Sequence, residues 1–412
     1  MISEKEAKNI ILNATQDFGV EEIPFIKSVG RILKEEILAD RDFPPFNRVS
    51  MDGIAIDLEK FKEGQNSFKI EGIQAAGSKQ ISLKNSNNCI EVMTGAVLPN
   101  HTNAVIRYED VIIENGVAKI QIHEIIDFQN IHKKGKDKKA GDVLVHLNKK
   151  ISAAEIGVIA TVGKSIVKVA KQPKVIIVST GDELVGVDEI PLEHQIRRSN
   201  VFSLVSLLEK LNISAETAHI TDDKPILKQK ISTYLKDYDV LLFSGAVSKG
   251  KYDFLPEVLE ELGVEKLFHK VAQRPGKPFW FGTKTENDNN FNKIEKNNIK
   301  EQAVIFAFPG NPISTFVNCL AYFYPWYQKS VQCNQNEITA ILGEDVSFKP
   351  NLVYFLQVKL ASEAGNLVAY PVKGNGSGDL ASLVNSDAFI QLPNNKIHFK
   401  KGEVYSVLRY RN

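Results

Sequence analysis

Cysteine is nearly missing from this chain. Cys89, Cys319 and Cys333 are few, odd in number and far apart, which excludes a disulfide framework and any CxxC metal clip. An excess of charge is missing too. Lys and Arg number 51 against 50 Asp and Glu, a net +1, so nothing draws the chain generally to nucleic acid or to an anionic membrane. No apolar run approaches membrane-spanning length, and the opening residues Met1-Ile2-Ser3-Glu4-Lys5-Glu6 lack the apolar core of a secretory signal. A cytoplasmic enzyme without nucleic-acid or membrane partners is the expectation. The eight His residues show no metal-ligand spacing. The basic run Lys133 to Lys139 is broken by Asp137 and reads as a solvated turn.

What is present is enough apolar sequence, 43% of 412 residues, for two to four cores. Ser3-x-x-Glu6 is a capping box ahead of Ala7, Ile10, Ile11 and Ala14 at helical spacing. From about Arg41 to Lys139 short alternating runs separated by Gly, Asn and Pro predict a β-rich module, followed by a helix around Ala153 to Ala160. From Lys174 the pattern becomes buried strands alternating with amphipathic helices. Val175 to Val178, Asp239 to Ser244 and Ala303 to Phe308 read as strands; Val201 to Leu211, behind an N-cap at Ser199, and Leu255 to Leu262, ended by Gly263, read as helices. Glu286 to Gln302 is an Asn- and Lys-rich solvated loop, and β-like alternation returns after Lys329. The fold expected is a multidomain α/β protein. It has a doubly wound, mostly parallel sheet domain (173–329), an inserted β-rich module (43–139), an N-terminal helix-containing linker domain (1–42 and 140–172) and a small C-terminal β domain (330–412).

Two proline-glycine turns stand out, Arg274-Pro275-Gly276-Lys277-Pro278 and Phe308-Pro309-Gly310-Asn311-Pro312-Ile313-Ser314. Each puts backbone N–H groups beside cations or a hydroxyl, which is what holding an oxyanion requires. Ligands of open α/β sheets bind outside the carboxyl ends of the strands. The loops there carry Glu183, Asp222, Asp253, Ser244-Gly245 and Pro309-Gly310. Carboxylates beside an anion site repel it unless a divalent cation lies between, so the combination predicts Mg²⁺ held by Glu183, Asp222 and Asp253. Taken singly, Asp222 also reads as a helix cap, Glu183 as a turn residue, and Asp52 as the residue before the Gly53 turn. Lys270 is either a second cation on the face of Arg274, by strand alternation, or a solvent-facing residue.

The order of motifs along the chain is specific. Asn47-Arg48-Val49-Ser50-Met51-Asp52-Gly53, Glu91-Val92-Met93-Thr94-Gly95, Gly135-Lys136-Asp137, Ser179-Thr180-Gly181-Asp182-Glu183, Ser199-Asn200, Asp222-Asp223, Arg274 to Pro278, Pro309 to Ser314 and Gly376-Ser377-Gly378 follow one another. In this the chain resembles the molybdopterin molybdenumtransferases, the molybdenum insertases related to the gephyrin E domain. The resemblance implies an enzyme that takes adenylylated molybdopterin and molybdate as substrates, releases AMP with the help of Mg²⁺ and inserts the metal into the dithiolene. It assigns Asp253, Glu183, Asp222, Lys270, Arg274 and Lys277 to catalysis. Asp52, Thr94, Asp137, Ser199, Asn200, Ser244, Gly245, Pro278, Pro309, Gly310, Asn311, Pro312, Ser314 and Ser377 become substrate contacts. It also implies a homodimer whose inserted module completes the partner's site, with a molybdopterin adenylyltransferase and apo-molybdoenzymes as transient partners. A related nucleotide-handling hydrolase and a non-catalytic molybdopterin-binding scaffold are the alternatives.

The chain departs from the family pattern in places. Arg274 replaces the first lysine of its turn, a planar fork for a compact ammonium. Asn351-Leu352 and Gln357 stand where arginines are usual, including one that holds molybdate. His132 replaces an arginine, Arg198 stands where an acidic residue is common, and Ala246 replaces the second of a glycine pair, where a Cβ restricts backbone approach to a ligand.

Overall fold

The computed structural model describes residues 1–247, 253–285, 303–333 and 337–411. The Asn- and Lys-rich segment 286–302 lies outside the described residues. The chain forms two compact units, one of Met1–Lys34, Asn148–Ser152 and Ile166–Asn412, the other of Glu35–Leu147 and Ala153–Ser165.

In the first unit the capping box forms as the sequence predicts. Ser3 N donates to Glu6 Oε2 at 2.8 Å and Glu6 N donates back to Ser3 Oγ at 3.2 Å, starting the helix Glu4–Asn13, which buries Ala7 and Ile11. At the centre of the unit is a six-stranded sheet. Its strands in chain order are β1 (Val175–Thr180), β2 (Ala215–Ile220), β3 (Val240–Ser244), β4 (Glu265–His269), β5 (Trp280–Lys284) and β6 (Ala303–Phe308). They lie side by side as β2-β1-β3-β6-β5-β4, the first four parallel to one another and β5 antiparallel to both of its neighbours, β6 and β4. Alternation within the strands feeds two cores. Val175, Ile177 and Leu242 pack with Leu204, Leu207 and Leu208 of helix α1 (Asn200–Glu209). Ile176, Val178 and Leu241 face the other way, towards α2 (Lys224–Asp237) and α3 (Leu255–Glu261). Since α1 and α2 cover opposite faces, the winding reverses between β1 and β3, and a switch point of this kind opens a crevice at the carboxyl edge.

Local details differ from expectation. Ser199 occupies the N-cap position of α1, but its side chain makes no capping hydrogen bond. Asp223 caps α2 by accepting from Ile226 N at 2.9 Å, which leaves Asp222 outside the capping role the local sequence allowed it. The shared face of Lys270 and Arg274 does not exist. Strand β4 stops at His269, Lys270 has φ +78°, and Gln273–Arg274 pairs instead with Val353–Tyr354, so period-two alternation does not run through these positions.

Beyond the α/β sheet, a C-terminal sheet closes on itself. Val353–Glu363 pairs with both Asn366–Pro371 and Ala388–Leu392, and Thr339–Leu342 and Val404–Arg409 complete the ring around a separate core. Gln273–Arg274 joins its edge. The second unit is built on a mixed six-stranded sheet whose strand Gly53–Ile56 is wholly buried, and it includes the helix Ala153–Thr161. At Gly53 a Cβ would stand 1.8 Å from Ile106 O, so two backbones touch where only glycine fits. No helix among the described residues is long and apolar enough to cross a membrane.

Candidate functional site

A cleft of about 660 Å³ opens at the switch point, over the carboxyl ends of β1, β3 and β6. Hydrogen bonds between the loops set its floor. Gly245 N donates to Phe308 O at 3.1 Å. Asn200, at the start of α1, donates through Nδ2 to Ser244 Oγ at 2.9 Å and to Gly310 O at 2.7 Å, tying three loops together. At Gly245, φ +112°, a Cβ would lie 3.0 Å from the Thr180 carbonyl and hydroxyl oxygens, so this loop needs its glycine. The next residue, Ala246, adopts φ +53°, a left-handed conformation held in spite of its Cβ.

Glu183, Asp222 and Asp253 all line this cleft, as do Ser199, Asn200, Ser244, Gly245, Pro278 and Pro309 to Pro312. Asp182, which the sequence reading passed over, accepts from Asp222 N at 3.1 Å. Partial burial, followed by the charges of Asp182, Glu183 and Asp253, raises the Asp222 carboxyl above its ordinary value. Among the described residues no three carboxylate, His or Cys side chains are grouped closely enough to hold a metal ion unaided. The donor set nevertheless suits Mg²⁺, which takes one or two carboxylates and completes its shell with water and substrate oxygens.

The raised Asp222 pKa has a consequence for stability. A carboxyl whose folded pKa lies above its unfolded value favours folding when protonated, and that contribution is lost as pH rises through the folded pKa. Asp222→Asn is therefore expected to melt higher than the parent near neutral pH in metal-free buffer, with the difference closing as pH falls into the carboxylate range. Thermal melts across pH read this directly, and equal melting temperatures at neutral pH would contradict the repulsion.

The turn Arg274 to Pro278 borders a second cleft, of about 350 Å³, which shares Pro278 and Asn311 with the first. Arg274, Lys277, Ser314 and Ser377 line it, together with the largely apolar side chains of Leu352, Tyr354, Phe355 and Val372. A buried amide network fixes the turn. Gln273 Nε2 donates to Asn318 Oδ1 at 2.7 Å and to Pro275 O at 3.0 Å, Asn318 Nδ2 donates to Gly276 O at 3.3 Å, and Tyr322 Oη donates to Gln273 Oε1. Gln357, at the position where an arginine is usual, is buried and donates to Ser382 Oγ at 3.1 Å and Ser386 Oγ at 3.3 Å, so its amide is engaged within the fold. Of the turn amides expected to hold an anion, Ile313 N is already spent on Ser377 O at 3.1 Å. Lys270 lines neither cleft.

Asp52, Thr94 and Asp137 belong to the second unit. Asp52 Oδ1 accepts from Thr94 N at 2.6 Å and from Thr94 Oγ1 at 2.8 Å, and these bonds hold its carboxyl below the usual range. His132 Nε2 stands 2.8 Å from Asp137 Oδ1, with Arg48 against its other ring nitrogen at 3.4 Å. The histidine thus engages the carboxylate of Asp137.

Several residues in or behind the first unit's clefts are not among the site residues expected from the sequence. Thr180 and Arg198 line the larger cleft, while Gln273, Asn318 and Tyr322 position the cationic turn. His219 Nδ1 lies 3.1 Å from Ser179 Oγ; burial and then the charge of Arg198 lower its pKa. The motif Ser179-Thr180-Gly181 signalled Thr180. Nothing local signals the network, whose members are brought together only by the fold.

Family models match the chain in three stretches: the MoeA N-terminal region (domain I and II) at residues 2–163, the probable molybdopterin binding domain at 176–328 and the MoeA C-terminal region (domain IV) at 339–410. The molybdopterin molybdenumtransferase of Synechocystis sp. is 38% identical, covering 98% of this chain and 99% of its own length. That of Staphylococcus epidermidis is 29% identical, covering 99% and 95%. A crystal structure of the molybdopterin biosynthesis moeA protein from Pyrococcus horikoshii OT3 superposes with a TM-score of 0.82 at 25% identity over 100% of both chains. A second Pyrococcus moeA structure gives 0.78 at 28% identity over 99% of this chain and 98% of its own. With a full-length relative at 38% identity and three family regions matched in order, the chain belongs to the molybdopterin molybdenumtransferase family.

Proposed function

We propose that this transferase of molybdenum-cofactor biosynthesis inserts molybdate into adenylylated molybdopterin and releases AMP. The observation that supports it most directly is the pair of clefts meeting at Pro278 and Asn311. One has carboxylates and hydrogen-bonding groups at a switch point, suited to a nucleotide; the other has cations and apolar side chains in its lining, suited to an oxyanion beside a flat ring. Both substrates are anions. Much of the catalysis then lies in holding them together: Arg274 and Lys277 attract the oxyanion, and Asn200 and Gly245 keep the nucleotide-side loops in register. Glu183, Asp222 and Asp253 would hold Mg²⁺, which supplies neutralisation of phosphoryl charge when bound. Asp52 and Thr94, an exposed pair already joined by hydrogen bonds, would serve the site of a second copy in a homodimer. A molybdopterin adenylyltransferase would supply the substrate and apo-molybdoenzymes would receive the product.

The experiment is AMP release from adenylylated molybdopterin by the purified protein, with and without molybdate and Mg²⁺. Release stimulated by molybdate is the expected result. Substrate bound without release would replace this reading with that of a scaffold, for which the engaged Gln357 and apolar Leu352 would then be the reason.

A further inference from the structure

Five buried side-chain polar atoms lack a hydrogen-bond partner among the described residues, and three of them, Thr180 Oγ1, Arg198 Nε and Asn200 Oδ1, belong to residues lining the switch-point cleft. Arg198 is the unexpected member, since it stands where an acidic residue is common in the family.

The local backbone explains how it gets there. The short strands Leu184–Val185 and Ile196–Arg197 pair in parallel, and Arg198 N donates to Val185 O at 3.1 Å, fixing the main chain at the cleft mouth. The neighbouring arginine is used differently: Arg197 Nε donates to Glu189 O at 2.9 Å. Arg198 makes no ion pair among the described residues, although Glu183, Asp222 and Asp253 line the same cleft. A guanidinium stays charged, and enclosing its N–H without an acceptor is costly unless a ligand provides one. The other two atoms say what else that ligand carries. Asn200 Nδ2 is committed to Gly310 O, a group that can only accept, so the Asn200 oxygen is oriented as an acceptor and calls for a donor. Thr180, 4% exposed, offers a hydroxyl that can do either. An anionic oxygen together with hydroxyl groups is the chemistry of a sugar phosphate.

We infer that Arg198 is a substrate-binding residue that takes the phosphate of the nucleoside monophosphate moiety in the switch-point cleft, with Asn200 and Thr180 positioned for its ribose hydroxyls. The inference rests on the nucleotide reading of this cleft and adds a ligand-facing cation to a rim that carries Glu183, Asp222 and Asp253 and whose other arginine, Arg197, has its Nε engaged by Glu189 O. A planar donor fork there gives phosphate a bidentate partner that Lys277, in the adjoining cleft, does not supply.

The test is calorimetric titration of AMP and, separately, of adenosine into the full-length protein, Arg198→Met and Arg198→Lys. AMP is expected to bind about tenfold more weakly to the methionine variant, with the lysine variant between, while adenosine binds all three alike. Equal weakening of AMP and adenosine would make Arg198 a structural residue and overturn the inference, as would unchanged AMP binding by the methionine variant. If the unsubstituted protein binds neither, the nucleotide reading fails and this inference with it. If it binds AMP and only the Arg198 effect is missing, the reading stands alone.

Discussion

Asp253→Ala is expected to reduce molybdate-stimulated AMP release by at least about a hundredfold, the scale seen when one group that stabilises transition-state charge is removed. Asp253 lies just ahead of α3 at the cleft rim, and its charge reaches Asp222 strongly enough to help raise that carboxyl. Asp222 feels the charges of both Glu183 and Asp253, and the proposed Mg²⁺ would offset that repulsion together with the repulsion of a substrate phosphate. Removing one should weaken the cation's hold more than the substrate's. The expected pattern is therefore a fall in kcat with a higher Mg²⁺ requirement, at little cost in binding of adenylylated molybdopterin. Steady-state kinetics over a Mg²⁺ series separates the two. An unchanged kcat at saturating Mg²⁺ would remove Asp253 from the machinery and leave Glu183 and Asp222 as the candidate metal carboxylates.

The convergence of these loops was legible because continuous apolar runs, such as Val175 to Val178, identify buried parallel strands, and topology then forces the following loops to one edge. The same logic failed at Lys270. A left-handed residue that is not glycine gives no sign of itself in the sequence, and a single φ of +78° is enough to end the alternation on which its shared face with Arg274 depended. Asp222 shows a subtler limit. Two adjacent aspartates before a proline both look like caps, and only the backbone decides that Asp223 bonds Ile226 N while Asp222 turns to the cleft. Arg198 was visible as a departure, but its enclosed Nε depends on strands drawn together across a dozen residues. The Gln273, Asn318 and Tyr322 network is more remote still, because its partners lie 45 and 49 residues apart and none is a residue type that announces a site.

That network makes Gly276→Ala the substitution with the largest expected effect on stability and site together. Gly276 has φ +88°, and a Cβ there would fall 2.4 Å from Asn318 Oδ1 and 2.8 Å from Gln273 Nε2. The left-handed conformation costs alanine about 1–2 kcal/mol. Displacing buried amides from their partners adds roughly 1–3 kcal/mol, so a loss on the order of 3 kcal/mol is expected from denaturant unfolding. The two contributions are separable. In Gly276→Ala combined with Asn318→Ala the nearest atom is gone, so the pair should cost less than the sum of the single substitutions, as coupled neighbours do. Simple additivity would mean that backbone strain alone accounts for the effect. Function offers a second readout, since Arg274 and Lys277 flank this glycine and depend on it for their direction into the smaller cleft. At a temperature where the variant remains folded, AMP binding in the larger cleft should persist while the response to molybdate is lost. Loss of both at once would mean that the turn supports the whole carboxyl edge of the sheet and not only its cationic side.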